Sequence, residues 1–137
     1  MDCIFCKIVN GTIPVKKLEE TLHSLAFLDA FPLARGHTLV IPKNHYAKVQ
    51  DMNEADSKDL FETVRVLAKK LESIYSSSLI AIHNGKESGQ EIPHVHIHII
   101  PRHPSDGAGP VHSMFVKRPA LDEDEFEKII KIIKNIK

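Results

Sequence analysis

The chain has 137 residues, 42% of them hydrophobic and 26% charged, and its 18 basic side chains balance 18 acidic ones. That composition excludes whole-chain disorder, and the balance excludes the broad basic field needed to hold a long nucleic acid. No apolar run nears the roughly 18 residues of a membrane span, and no charged-then-apolar leader opens the sequence, so the expectation is one cytoplasmic domain over residues 1–137. The unusual number is nine histidines, beside two cysteines and no tryptophan. Histidine changes charge near neutral pH, attacks phosphorus and binds zinc.

In chain order, Cys3 and Cys6 come first. Two cysteines this close make no disulfide framework, which leaves half of a zinc site or a redox dithiol. Segments 15–20 and 22–28 read as strands joined by a very short turn, and 38–41, between Gly36 and Pro42, as a third. Asn53 offers a helix N-cap, with Asp56 at the capping-box position. Leu60, Phe61, Val64, Leu67, Ala68, Leu71 and Ile74 then recur at helical spacing, which predicts an amphipathic helix over about 54–75. Segments 79–83 and 95–100 read as two further strands around a glycine-rich loop that runs from Asn84 to Gln90. After a proline- and glycine-rich stretch over 101–119, Asp122 and Glu125 open a last helix to about 136, so that 110–137 forms a C-terminal loop and helix. Strands in the first and third quarters with one long helix between them predict α+β with an antiparallel sheet.

The densest signal is His94-Val95-His96-Ile97-His98-Ile99-Ile100. Side chains alternate along a strand, so the three histidines share one face while Val95, Ile97 and Ile99 take the other. The apolar face packs on a core. Three adjacent imidazoles pack poorly and cannot all be charged together, which points to chemistry: a metal-binding strand, or a phosphate site with a nucleophilic histidine. The upstream loop favours the phosphate. Gly85, Gly89 and the side-chain amides of Asn84 and Gln90 can turn N–H groups toward an anion, whereas a bare dication would want carboxylates or thiolates as well. An imidazole attacking phosphorus forms a covalent phosphohistidine that water later cleaves. Donors to the oxygens of the transition state are typically worth about 3–4 kcal/mol each.

These residues resemble the histidine triad superfamily, and looks closest to its prokaryotic Hint-like and dinucleoside-polyphosphate-hydrolase-like members. The likeness covers residues 2–103 and includes Cys3-Ile4-Phe5-Cys6-Lys7-Ile8, Ala26-Phe27-Leu28-Asp29, Gly36-His37-Thr38-Leu39-Val40-Ile41-Pro42-Lys43 and the segment from Asn84 to Arg102. The resemblance implies a five-stranded antiparallel sheet with one long helix and short terminal helices, paired into a homodimer with a continuous ten-stranded sheet. It implies His96 as the nucleophile at the α-phosphate of a purine nucleotide conjugate, an adenosine phosphoramidate or a dinucleoside polyphosphate. His98 is then the partner on the phosphate oxygens and His37 the more distant histidine of the pocket. Asp29 would hold the ribose hydroxyls, and Asn84, Gly89 and Gln90 the phosphate side. Phe5, Ile8, Phe27 and Leu28 would form the slot for the base; on the residues alone they are core. One departure stands out: a small hydroxyl residue usually follows the loop glutamine, and this chain has Glu91, which puts leaving-group preference in doubt.

Tetrahedral zinc needs four nitrogen or sulfur ligands, and Cys3 and Cys6 supply two at ordinary spacing. The candidates for the others are His45 and His94. The resemblance implies a structural zinc on Cys3, Cys6, His45 and His94, as in some prokaryotic members and in the related hexose-1-phosphate uridylyltransferases. His23 and His83 read as structural or exposed strand residues, and His103 and His112 flank the later loop. Lys128, Lys131, Lys134 and Lys137 read as a solvated helix face. Two alternatives stay open: a metallohydrolase using the triad as its metal site, and a non-catalytic nucleotide- or protein-binding module.

Overall fold

The computed structural model describes residues 2–137. The first of two compact units ends at Asp106. It begins with a short helix, α1 (Ile4–Val9), and continues through β1 (Lys17–Glu20), β2 (Ser24–Leu28), β3 (Thr38–Pro42), α2 (Glu54–Glu72), β4 (Ser77–Ala81) and β5 (Ile97–Arg102). The five strands form one sheet in the order β1-β2-β3-β5-β4, and every neighbouring pair is antiparallel. The fold is therefore α+β, as the sequence predicts, with one long helix and short terminal ones.

Alternation divides the sheet into two faces with separate cores. Ala26, Val40, Val95, Ile97 and Ile99 point to one face and bury against Leu60, Val64 and Leu67 of α2. Full burial of each such helix side chain contributes about 1.5–3 kcal/mol. Leu25, Phe27, Leu39 and Ile41 point to the other face, where Phe5 and Ile8 of α1 cover them. With only six residues, α1 covers part of that second face. The functional groups occupy the remainder.

Helix α2 starts where the sequence predicts, with the Asn53 side chain accepting from the Asp56 N–H. The carboxylate of Asp56 does not close a capping box. It is buried and accepts from the Tyr46 hydroxyl at 2.6 Å and the Asn44 amide at 2.9 Å, with His23 Nδ1 at 2.9 Å. The helix ends at Glu72 rather than near 75, because the N–H groups of Ile74 and Tyr75 both turn back to the Leu71 carbonyl. Phe61, which fits the helical period, is exposed.

Strand β4 begins at Ser77, ahead of the predicted 79, because an edge strand needs no apolar alternation. Its pairing of Ser77 with Arg102 and Ser78 with Pro101 carries β5 on to Arg102, past the predicted end at 100. At the other end the β5 ladder starts at Ile97 instead of 95. The Val95 N–H goes to the Tyr46 carbonyl and the His94 N–H to the Ile92 carbonyl, outside the ladder.

The second unit, Gly107–Lys137, holds a 3-10 turn (Val111–Met114) and α3 (Glu123–Lys134), capped by the Asp122 side chain on the Glu125 N–H. Phe126, Ile129, Ile130 and Ile133 lie along one stripe of α3 and are exposed, as are its lysines. Among the described residues no helix is long and apolar enough to cross a membrane.

Candidate functional site

The pairing register brings the chemistry together. Leu39 of β3 lies opposite both Phe27 of β2 and His98 of β5, and His98 lies opposite Ala81 of β4. Two residues before Leu39 comes His37, two after Phe27 comes Asp29, and two before His98 comes His96. All therefore lie on the face that α1 only partly covers. His96 is 7% exposed, and His37 and His94 are buried more deeply still.

Hydrogen bonds fix where each ring carries its proton. His96 Nδ1 lies 2.8 Å from the His94 carbonyl oxygen, which only accepts, so Nδ1 is the protonated nitrogen. Nε2 keeps a free lone pair. The Leu33 N–H donates to His37 Nδ1 at 3.0 Å, so a neutral His37 carries its proton on Nε2. That proton points to His98 Nδ1, 2.9 Å away, and leaves the proton of His98 on Nε2. A backbone amide thus sets, through two rings, an N–H donor on His98 beside the His96 ring, their ring centroids 5.1 Å apart.

Burial keeps the rings neutral. It lowers the pKa of His37 and of His96, against the opposing effects of the Asp29 carboxylate on both and of Glu91 on His96. Burial, then the neighbouring His96, His37 and His83, lowers His98 to about 4. A value of about 4 in the folded chain against 6.5 ordinarily means that the unfolded chain binds a proton the folded chain refuses. Stability is full above pH 6.5 and falls as the pH drops toward 4, by up to ~1.4 kcal/mol per pH unit for one such group. His98→Asn keeps an acceptor for His37 and removes this titration. Urea denaturation between pH 7 and pH 4 should show a shallower decline in the variant, and equal slopes would place the acid sensitivity elsewhere.

Asp29 accepts the Phe31 N–H with one oxygen and holds the other 3.6 Å from His37 Nε2, at the rim of the site. Phe5 packs edge-on against His96 at 5.0 Å, His94 at 5.7 Å and Phe27 at 6.1 Å. Phe5, Ile8 and Phe27 all belong to the buried cluster beneath the site. Leu28 is not with them: it pairs with Thr38, on the α2 side of the sheet, and is 36% exposed.

The glycine-rich loop is largely self-supporting. The Gln90 side chain accepts the Gly85 N–H and donates to the Ala47 carbonyl. The Asn84 side chain accepts the Val49 N–H and donates to Gln50. The N–H groups of Ser88 and Gln90 go to the Gly85 carbonyl, and that of Gly89 to the Lys86 carbonyl. The structure thus turns both amides and these N–H groups inward, where they hold the loop against segment 47–50. Left-handed backbone at Gly85 (φ +108°) and Gly89 (φ +103°) permits the shape.

A second cluster adjoins the first. His94 Nε2–H donates to the Pro42 carbonyl at 2.9 Å, which leaves Nδ1 unprotonated. That atom faces Cys3 Sγ at 3.5 Å, Cys6 Sγ at 3.6 Å and His45 Nδ1 at 3.1 Å, and Cys6 Sγ lies 3.4 Å from His45 Nδ1. Edges of a zinc tetrahedron with N and S ligands run from about 3.3 to 3.8 Å, so these four residues could hold such an ion. Burial and the neighbouring Cys3 raise the Cys6 thiol, a penalty that a dication would relieve. The carbonyl behind His94 is the usual partner of a ligating imidazole. The Tyr46 and Asn44 bonds to Asp56 hold the segment that carries His45. Asp29, His37 and His98 also lie close enough together to hold an ion. There, however, the proton between His37 and His98 occupies the facing ring atoms.

One residue at the site goes beyond the sequence reading. His83, two residues past Ala81 and so on the same face, sits edge-on to His98 at 5.7 Å. Only the β4–β5 register reveals it, since nothing local separates it from an ordinary exposed histidine.

This sheet and histidine face match known proteins. A family model described as the HIT domain matches residues 10–105. An uncharacterized HIT-like protein of Methanocaldococcus jannaschii is 39% identical over 133 residues, which cover 96% of this chain and 98% of that one. An adenosine 5′-monophosphoramidase of Saccharomyces cerevisiae is 39% identical over 134 residues, covering 98% and 80%. The crystal structure of a HIT family member from Bacillus subtilis superposes with a TM-score of 0.87 at 34% identity, covering 100% and 99%. The chain belongs to the HIT family.

Proposed function

We propose that the protein is a nucleotide hydrolase or transferase acting at the α-phosphate of purine nucleotide conjugates, adenosine phosphoramidates or dinucleoside polyphosphates, through a nucleotidyl-His96 intermediate. The observation that carries this reading is the neutral His96 ring, its Nδ1–H fixed on a main-chain carbonyl and its Nε2 lone pair free beside a second imidazole. The relative named as an adenosine 5′-monophosphoramidase supports the nucleotide part. His96 Nε2 attacks phosphorus, the bond to the leaving group breaks, and water then cleaves the phosphorus–nitrogen bond and restores the ring. His98 Nε2–H donates to a phosphate oxygen throughout, and Asp29 takes the ribose hydroxyls. Phe5, Ile8 and Phe27 give the base an apolar floor. Capture of an acid-labile nucleotidyl adduct on His96 by rapid quench and mass spectrometry tests the proposal, and turnover with no adduct would sink it.

On the same reading, Cys3, Cys6, His45 and His94 hold a structural zinc that supplies a tether and no reacting group. The proposed homodimer is supported by the edge positions of β1 and β4 in the sheet, either of which could pair with its copy to continue the sheet to ten strands. Light scattering should give the mass of two chains, and the mass of one would remove the dimer.

A further inference from the structure

We infer that His83 is a fourth histidine of the reaction, the group that hands a proton to the departing part of the substrate. The inference rests on the proposed nucleotidyl transfer and adds to it a residue and a leaving-group class. Three observations meet at His83. The pairing of Ala81 with His98 puts residue 83 on the face of His96 and His98. Its ring stands edge-on to His98, 5.7 Å away, at 75°. Its other edge lies over the glycine-rich loop: a methyl group on Gly89 would sit 3.4 Å from His83 Cδ2 and 3.6 Å from Nε2. The ring therefore stands between the phosphate-holding imidazole and the loop, on the open side of the site.

The chemistry of the site calls for such a group. Burial holds His37 and His98 neutral, and His96 gives its lone pair to phosphorus, so none of the three is left to serve as the acid. The other charged groups acting on these rings, Asp29 and Glu91, are carboxylates. An amine leaving phosphorus needs a proton as it departs. His83 is exposed to water. In the first step the lone pair of His96 Nε2 forms a bond to phosphorus. The pair of the breaking phosphorus–nitrogen bond goes to the amine nitrogen, which takes the proton of the His83 imidazolium. In the second step neutral His83 accepts a proton from the attacking water, and the pair of the phosphorus–His96 bond returns to Nε2. The cycle leaves both rings as they began. Glu91, a carboxylate acting on the same His96 ring, suits a leaving group that departs as a neutral amine rather than as an anionic polyphosphate.

The test compares the whole protein with its His83→Asn variant on two adenosine 5′-phosphate derivatives. One is the phosphoramidate of an alkylamine, whose leaving group needs a proton. The other is the nitrophenyl ester, whose leaving group departs as a stable anion. General acid catalysis predicts a fall in kcat/KM of roughly 10²-fold or more on the amine and a far smaller change on the ester. Equal falls on both, or no fall on either, would overturn the role of His83 while leaving nucleotidyl transfer in place. A wild-type protein that turned over neither compound would overturn the functional reading, and this inference with it.

Discussion

Replacing His96 by asparagine lowers kcat by roughly 10⁴-fold or more and leaves the fold in place. Removing the nucleophile of a covalent mechanism costs on the order of 10⁴–10⁶ in kcat, with donors and binding contacts supplying what remains. Asparagine is the informative choice because its Nδ2 falls near the position of the imidazole Nδ1. It can still donate to the His94 carbonyl, the bond that orients the wild-type ring at 2.8 Å. What it lacks is a nucleophile at the position of Nε2. The His37–His98 bond involves neither atom, so the donor set by Leu33 survives. Steady-state kinetics and thermal unfolding measured together check the expectation. Wild-type kcat in the variant would end the covalent mechanism, whereas parallel loss of kcat and of the unfolding transition would mean that the residue is structural.

Chelation of a bound zinc lowers the thermal midpoint by roughly 8–20 °C, and activity follows the loss of folded protein. A metal present at 100–1,000 times its dissociation constant stabilises the folded state by about 2.7–4.1 kcal/mol, and each kcal/mol moves the midpoint of a domain this size by roughly 3–5 °C. The architecture explains why the effect falls on stability. Helix α1 has six residues and no side-chain cap at Cys3, far short of the roughly 12–15 residues at which an isolated helix becomes even marginal. Through a bound zinc, two sulfurs at its start would be joined to His45, just past β3, and to His94, with four protein ligands filling a tetrahedral site. Differential scanning calorimetry with and without a chelator, beside an assay below the lowered midpoint, separates the cases. Activity abolished by EDTA with an unchanged midpoint would favour a metallohydrolase and remove the tether.

The histidine face and the long helix were legible because each depends on a local period, whereas the set of Cys3, Cys6, His45 and His94 was an expectation of the family resemblance, since only the cysteine pair is close in sequence. Val95, Ile97 and Ile99 face the core that α2 covers, and the four sulfur and nitrogen atoms gather within one another's reach. Whatever depended on pairing was hidden. The sequence shows Asn84 and Gln90 as amides beside glycines, and nothing local says that Val49 and Ala47 will claim them. It shows Leu28 beside Phe27 without the alternation that sends them to opposite faces. His83 is invisible until Ala81 is known to lie opposite His98. Strand bounds shifted for the same reason: Ser77 and Arg102 are polar, and they are strand residues because each has the other to pair with.

The two-faced alternation of β5 also guards the topology. Slipping the strand by one position against β3 would drive His96 and His98 into the layer beneath α2 and turn Ile97 and Ile99 out to water. The side chains they would meet there, Leu60, Val64 and Leu67, are apolar and offer no hydrogen bond, and an imidazole desolvated without a partner costs about 1–3 kcal/mol. A strand with an apolar residue at every position would tolerate such an error far better. The histidines of this face therefore also proofread the fold, and a variant that trades them for aliphatic side chains gives up fidelity of pairing as well as the proposed chemistry.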